Sequence, residues 1–426
     1  MKVEPRTLPG FMELLPKEQI QFNSMIDKIR SSYERFGFLP IDTPIIESAE
    51  VLLAKAGGET EKQIYRFEKG ENDLALRFDL TVPLAKYVTQ YYNDITFPFK
   101  RYQIGKVYRG EKPQKGRYRE FYQCDIDIIG DGELSLINDA EIPSVIYTTI
   151  KSFGFDNFTI RMNNRKILNG LFAELALEEN AVEIMRIIDK LEKIGEEKVV
   201  KCLEDLQISK EKIDIIMQFL AIDGTTDEKL EALQQLNFKN ELFKQGLAEL
   251  TEVVKNVRLF GVPEANFKVD LTIARGLDYY TGTVYETFLN DYKELGSVCS
   301  GGRYENLAEF YTDRKMPGVG VSIGLTRLFY KMNELNILQE KQESIAKVLV
   351  VSMTEKLDKA LEIGTILRKN GINADVYLED KKIKAKFKYA DKLQIPYVAI
   401  IGEEEEKNGT LSFKNMPTAQ QEEVSV

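Results

Sequence analysis

Residues 101–130 read RYQIGKVYRGEKPQKGRYREFYQCDIDIIG, and their alternation predicts two strands joined by a basic loop. In the first, Arg101 to Arg109, residues Gln103, Gly105, Val107 and Arg109 point one way. Tyr102, Ile104, Lys106 and Tyr108 point the other. The loop from Glu111 to Gly116 holds Pro113, Lys115 and Gly116, turn and charge residues. In the second strand Tyr122, Cys124, Ile126 and Ile128 form an apolar face, backed by Arg119, Phe121, Gln123, Asp125 and Asp127. A row of cation, ring, amide and two carboxylates is costly to bury without partners. It suits either an open binding face, anion-seeking at one end and cation-seeking at the other, or a solvated sheet face with salt-bridged charges.

Composition narrows the class. The 426 residues predict two or three domains, and the 43% hydrophobic content is enough for ordinary cores. No apolar run approaches the ~20 residues of a membrane span, and Met1 to Arg6 shows no secretory h-region. Cys124, Cys202 and Cys299 are far apart and have no metal-ligand spacing, which fits a reducing cytoplasm. The chain contains no histidine. That removes imidazole acid–base catalysis and His-ligated zinc, and leaves chemistry to carboxylates, Lys, Arg, Tyr or the substrate. The formal charge of −10 opposes whole-surface attraction to a polyanion. Two basic stretches, Lys100 to Arg119 and Lys381 to Lys388, mark where one could dock.

Along the chain, Pro16 opens a helix with Phe22, Met25, Ile26, Ile29, Tyr33 and Phe36 on one face. An extended segment ends at Pro44. Leu74 to Asp79 predicts a strand, followed by a helix through Ala85 and Tyr92. Lys166 to Val257 has recurrent helical spacing, with a capping box at Thr225 and Glu228. Gly-rich strands return from Phe267 to Arg327. After Ser344, strands predicted at Val348–Val351, Ala374–Leu378 and Tyr397–Ile401 alternate with helices and imply a small, largely parallel α/β domain.

The segment from Arg109 through Asp127 resembles motif 2 of class II aminoacyl-tRNA synthetases, in the version of histidyl-tRNA synthetases. Ala274-Arg275-Gly276-Leu277-Asp278-Tyr279-Tyr280-Thr281-Gly282 is similar to the first signature of that family, and Ser300-Gly301-Gly302-Arg303-Tyr304 to the second. Met316 to Arg327 resembles motif 3, and the helix and strand ending at Pro44 resemble motif 1. The resemblance runs from about Leu8 to about Gln420 and implies an α+β catalytic domain with the antiparallel sheet of class II synthetases. That domain would span residues 1–165 and 258–340. A helical insertion (166–257) and a C-terminal α/β anticodon-binding domain (345–426) would complete the chain.

The resemblance implies a two-step reaction with L-histidine, ATP with accompanying Mg2+, and histidine tRNA, carried out by a homodimer. Arg109 and Arg275 would be catalytic and histidine-binding, Arg109 holding the α-phosphate and Arg275 approaching the same phosphate and the histidine carboxylate. ATP would meet Arg109, Glu111, Phe121 and Arg327. Histidine would meet Asp79, Leu80 (through its backbone), Thr81, Gln123, Asp127, Tyr279 and Tyr280. Gly301, Gly302 and Gly324 would admit backbone close to the ligand, although Gly-Gly also simply marks a turn. Lys112, Gln114, Lys115 and Arg117 in the motif 2 loop would face the tRNA acceptor end, and Lys384 and Lys388 the anticodon arm. No bound metal, membrane or DNA is implied. The chain departs from the family pattern at Met12, where a basic residue is usual, and at Thr326, where an acidic residue often precedes the motif 3 arginine. A non-catalytic paralogue, such as the regulatory subunit of ATP phosphoribosyltransferase, shares this fold. It typically erodes the arginines and lacks the last domain, both kept here.

Overall fold

The computed structural model describes residues 2–54, 59–112, 116–274, 280–306, 308–338 and 344–425. The chain divides into two compact units, one of Met1–Met12 with Ile26–Ile337 and one of Glu13–Met25 with Leu338–Val426.

The larger unit is built on an eight-stranded sheet. Its order is Leu39–Pro40, Phe99–Tyr108, Glu120–Ile129, Gly318–Gly324, Ser297–Tyr304, Thr283–Leu289, Phe158–Asn164, Phe267–Val269. The inner six strands are antiparallel, and the two short edge strands pair in parallel. The alternation seen in the sequence is realised in a hairpin in continuous register from Phe99↔Ile129 to Tyr108↔Glu120. On its apolar side Cys124, Ile126 and Ile128 are fully buried. The helix Pro16–Arg35 supplies Tyr33 to that side, its hydroxyl donating to the Cys124 carbonyl at 3.0 Å.

The strand expected at Leu74 to Asp79 is shorter, Asn72–Leu76, and belongs to a separate three-stranded sheet. It ends early because the Asp79 carboxylate accepts the Val82 N–H at 3.0 Å, which satisfies a donor left open by the first turn of helix Thr81–Gln90.

Between Arg165 and Leu259 the chain is helical, as its spacing predicts. The box at Thr225 forms in full: its hydroxyl accepts the Glu228 N–H, and the Glu228 carboxylate accepts the Thr225 N–H. In the C-terminal unit the sheet order is Ala374–Val376, Val348–Ser352, Tyr397–Ile401, Thr410–Asn415, Gln421–Ser425. The first three strands are parallel, as alternation with helices requires. The last two form an antiparallel hairpin that the polar sequence from Thr410 to Ser425 did not announce.

Among the described residues no helix is long and apolar enough to cross a membrane.

Candidate active site

The polar face of strand Glu120–Ile129 lines a cavity of about 500 Å³ in the larger unit, within the ordinary range for small-molecule sites. Phe121, Gln123 and Asp125 come from that strand. Asp79 and Thr81 come from the start of helix Thr81–Gln90, Arg109 from the end of the hairpin, and Tyr280 from the first signature. Arg327, in the first turn of helix Leu325–Glu334, stands at another part of the wall with Lys331. Residues from Asp79 to Lys331 therefore meet on one cavity wall, brought together by strands Glu120–Ile129 and Gly318–Gly324 and by the two helices.

The charge pattern is uneven. Arg109 donates from Nε to the Phe78 carbonyl at 3.0 Å, and its guanidinium lies 5.2 Å from the Phe121 ring centroid. Arg327 donates to the Leu295 carbonyl at 2.9 Å. These contacts orient the two forks while leaving the cations on the cavity wall. Asp79 and Asp125 are buried, and desolvation raises both carboxyls, Asp125 to about 7. The Val82 N–H and then Arg109 oppose this at Asp79, and the buried Arg101 opposes it at Asp125. Gln123 donates to the Ser322 hydroxyl at 2.9 Å, and that hydroxyl also serves Asp125. Asp125 Oδ1 has no partner among the described residues.

Several expected residues take other places. Asp127 is 5% exposed and set back from the cavity lining. Its carboxylate ion-pairs with Arg101 and accepts the Tyr304 hydroxyl at 2.9 Å. The Leu80 side chain is wholly buried, so only its backbone is left to face a ligand. Glu111 is outside the lining, 3.9 Å from Arg117. Arg119, on the expected polar row, instead clamps the loop by donating to the Glu111 carbonyl at 3.0 Å. Gly301 lines the cavity, and both it and Gly302 are closely packed by neighbouring chain. A Cβ on Gly301 would stand 2.1 Å from the Gly320 carbonyl, and one on Gly302 would stand 3.0 Å from the Tyr280 ring. Gly324 alone of the three has open space at that position. Arg275, Tyr279, Gln114 and Lys115 lie outside the described residues. Lys112 and Arg117 are exposed, as are Lys384 and Lys388 on helix Ile383–Lys392.

Among the polar lining residues to which sequence reasoning gave no role are Tyr285, Glu286, Ser297, Ser300, Ser322 and Lys331. Ser300 lies within the second signature and Ser322 within the motif 3 stretch; the others carry no local signal. Thr326, in the position where an acidic residue is often found, accepts the Tyr122 N–H at 2.8 Å and ties helix Leu325–Glu334 to the motif 2 strand.

Comparison with known proteins agrees over the whole chain. A model of the histidyl-tRNA synthetase family matches residues 10–328, and an anticodon binding domain matches residues 347–426. A histidine–tRNA ligase of Clostridium tetani is 58% identical over 425 residues, covering 100% of this chain and 97% of that one. A crystal structure of histidyl-tRNA synthetase from Nostoc sp. PCC 7120 superposes with a TM-score of 0.92 at 42% identity, covering 100% of this chain and 97% of its own. A Bacillus halodurans protein described as an ATP phosphoribosyltransferase regulatory subunit/histidyl-tRNA synthetase has a TM-score of 0.76 at 22% identity, which shows the shared fold alone.

Proposed function

We infer how the cavity works from one premise: the chain belongs to the histidyl-tRNA synthetase family, and is an ATP-using enzyme that joins histidine to tRNA. The observation that carries the assignment of roles is the joint presence of Arg109 and Arg327 on the wall of one cavity with Asp79 and Gln123.

A carboxylate oxygen of histidine attacks the α-phosphorus of ATP, the bond to the bridging oxygen breaks, and pyrophosphate leaves. The terminal ribose hydroxyl of the tRNA then attacks the acyl carbon of the adenylate and AMP leaves. Negative charge grows on the phosphoryl oxygens in the first step, so fixed cations lower its barrier. Arg109 takes the α-phosphate, together with Arg275, which also meets the histidine carboxylate. Arg327 takes the γ-phosphate end, and Mg2+ arrives with ATP as part of that substrate. Phe121 stacks on adenine while Glu111 accepts from its amino group.

Asp79 receives the α-ammonium of histidine, helped by Thr81, the Leu80 backbone and Gln123. The imidazole lies against Tyr279, Tyr280 and the carboxylate floor that includes Asp127. A buried acceptor left unpaired by a wrong side chain costs about 1–3 kcal/mol, and this is the basis of selection. Lys112, Gln114, Lys115 and Arg117 approach the acceptor end of the tRNA, and Lys384 and Lys388 the anticodon arm. The enzyme works in the cytoplasm as a homodimer through the motif 1 element. The catalytic unit is formed by residues 1–165 and 258–340, with 166–257 as an insertion.

Histidine-dependent ATP–pyrophosphate exchange tests this directly. The wild-type chain should exchange only with histidine, and Arg275→Ala should lose nearly all of that activity while keeping its melting temperature. Histidine binding without exchange would instead mark a regulatory paralogue.

A further inference from the structure

A buried cation sits outside the reaction, two residues before Asp79. Arg77 lies in the turn between strand Asn72–Leu76 and helix Thr81–Gln90, is 2% exposed and is set back from the cavity lining. Its fork reaches two ways. Nε donates to the Lys106 carbonyl on strand Phe99–Tyr108 at 2.8 Å. Nη1 donates to the Thr43 carbonyl and lies 3.3 Å from the Thr43 hydroxyl and 3.2 Å from the Asp42 carboxylate, in the segment that ends at Pro44. The Asp42 side chain is 81% exposed, so that ion pair contributes little. The arginine is held chiefly as a connector between two stretches of backbone, a task that suits a planar fork and not a single ammonium.

The backbone of the turn is tied to the same two stretches. The Arg77 N–H donates to the Ile45 carbonyl, and the Tyr108 N–H donates to the Arg77 carbonyl, each at 2.9 Å. Gln103 fastens the Asp42–Thr43 corner to the strand as well, its Nε2 donating at 2.9 Å to Asp42 and at 3.1 Å to the Thr43 hydroxyl. The next carbonyl of the turn, that of Phe78, accepts Nε of Arg109 at 3.0 Å. Gly105 makes the approach possible. A Cβ there would stand 2.5 Å from Arg77 Nη2, so the guanidinium lies against bare backbone. Gly105 precedes Arg109 by four residues, on the same face of the alternation.

Two lines of contact therefore run from Arg77 to Arg109. One follows the strand from the Lys106 carbonyl, and the other passes through the Phe78 carbonyl. We propose that Arg77 is a positioning residue for Arg109. It clamps the turn that carries the Phe78 carbonyl onto the motif 2 strand, and so sets the plane in which the Arg109 fork meets a phosphate. This rests on the reading that Arg109 takes the α-phosphate of ATP. A cation lowers the barrier most when its donors are already aimed at the oxygens on which charge will grow. A displacement of ~1 Å at the reacting group is enough to cost on the order of 10²-fold in rate. Removing Arg77 frees the turn from the Asp42–Thr43 corner, and the Phe78 carbonyl then no longer fixes the Arg109 fork.

The test is histidine-dependent pyrophosphate exchange at saturating histidine and ATP. Arg77→Met and Arg77→Lys are each made in the wild type and in Arg109→Ala, and each is measured with its melting temperature. Arg77→Met should lower kcat by about tenfold to a hundredfold in the wild type. In Arg109→Ala the same change should cost less than about threefold, because the residue it aims is already gone. Arg77→Lys, which keeps the charge but not the fork, should keep most of the loss, and it stands in for Arg77→Met if that variant does not fold. Gly105→Ala, which crowds the guanidinium without removing it, should lower kcat in the wild type and not in Arg109→Ala. A kcat unchanged in Arg77→Met, equal factors in the two backgrounds, or Arg77→Lys at the wild-type rate would overturn the proposal. Exchange that Arg109→Ala by itself leaves within a few-fold of wild type would overturn the reading of Arg109 and this inference with it.

Discussion

Asp125→Asn should stabilise the ligand-free protein at alkaline pH and do so less at acidic pH. Asp125 is 3% exposed, and burial moves its carboxyl from 3.8 to about 7. A carboxyl with a higher value in the folded chain than in the unfolded chain takes up protons on folding. Its contribution to stability therefore worsens as pH rises between those two values and is fully unfavourable above the upper one. Each unit is ~1.4 kcal/mol. The burden is about 4 kcal/mol at pH 8, where both states are ionised, and about 1.5 kcal/mol at pH 5, where only the unfolded state is. Asparagine carries no charge and keeps an oxygen for the Ser322 hydroxyl. The gain at pH 8 should thus exceed the gain at pH 5 by about 2–3 kcal/mol. Unfolding a chain of this length involves an entropy near ~0.9 kcal/mol/K, so the difference should appear as about 2–3 °C in Tm. Calorimetry of both proteins at the two pH values reads it. A shift that is equal at pH 5 and pH 8, or a variant less stable than wild type at pH 8, would refute the claim that a buried charge is held there for function.

Three further outcomes follow from the site and from the C-terminal unit. Arg109→Ala should lower pyrophosphate exchange by about 10²–10³-fold with little change in Tm, because among the described residues its guanidinium is held by the Phe78 carbonyl, the Phe121 ring and the charge of Asp79; exchange within a few-fold of wild type would remove it from the mechanism. Lys384→Ala with Lys388→Ala should weaken tRNA binding, lower the slope of log affinity against log salt by up to about two and spare exchange. Lys386→Ala should instead lower Tm, since Lys386 is buried and donates to the Ser352 carbonyl at 2.7 Å.

Local rules account for what could be read in the linear chain. Strict alternation from Arg101 to Asp127 specified a hairpin and its polar face, since side chains in a strand repeat every two residues. Thr225 and Glu228 specified a helix start because both partners of the box lie within one turn. The parallel strands after Ser344 were visible as apolar runs between amphipathic helices, and Tyr397–Ile401 has the predicted bounds. The C-terminal hairpin was not, because Gln421–Ser425 is an exposed edge strand with no apolar pattern.

What the sequence determined by itself was therefore the set of faces and the chemical types on them, including the arginines and carboxylates of the site. Which member of a face meets the cavity was settled by distant partners. Asp125 and Asp127 share a face and differ by two residues. Asp127 is drawn back by Arg101 on the next strand and by the Tyr304 hydroxyl, 177 positions away. Gly320 leaves room for it, since a Cβ there would lie 2.1 Å from its carboxylate oxygen. Likewise the basic run at Lys381 to Lys388 split between solvent and core when helix Ile383–Lys392 packed with Lys386 inward. Periodicity says which side of a strand or helix a residue occupies. Only the packed chain decides which charges on that side are neutralised by neighbours and which remain for a substrate.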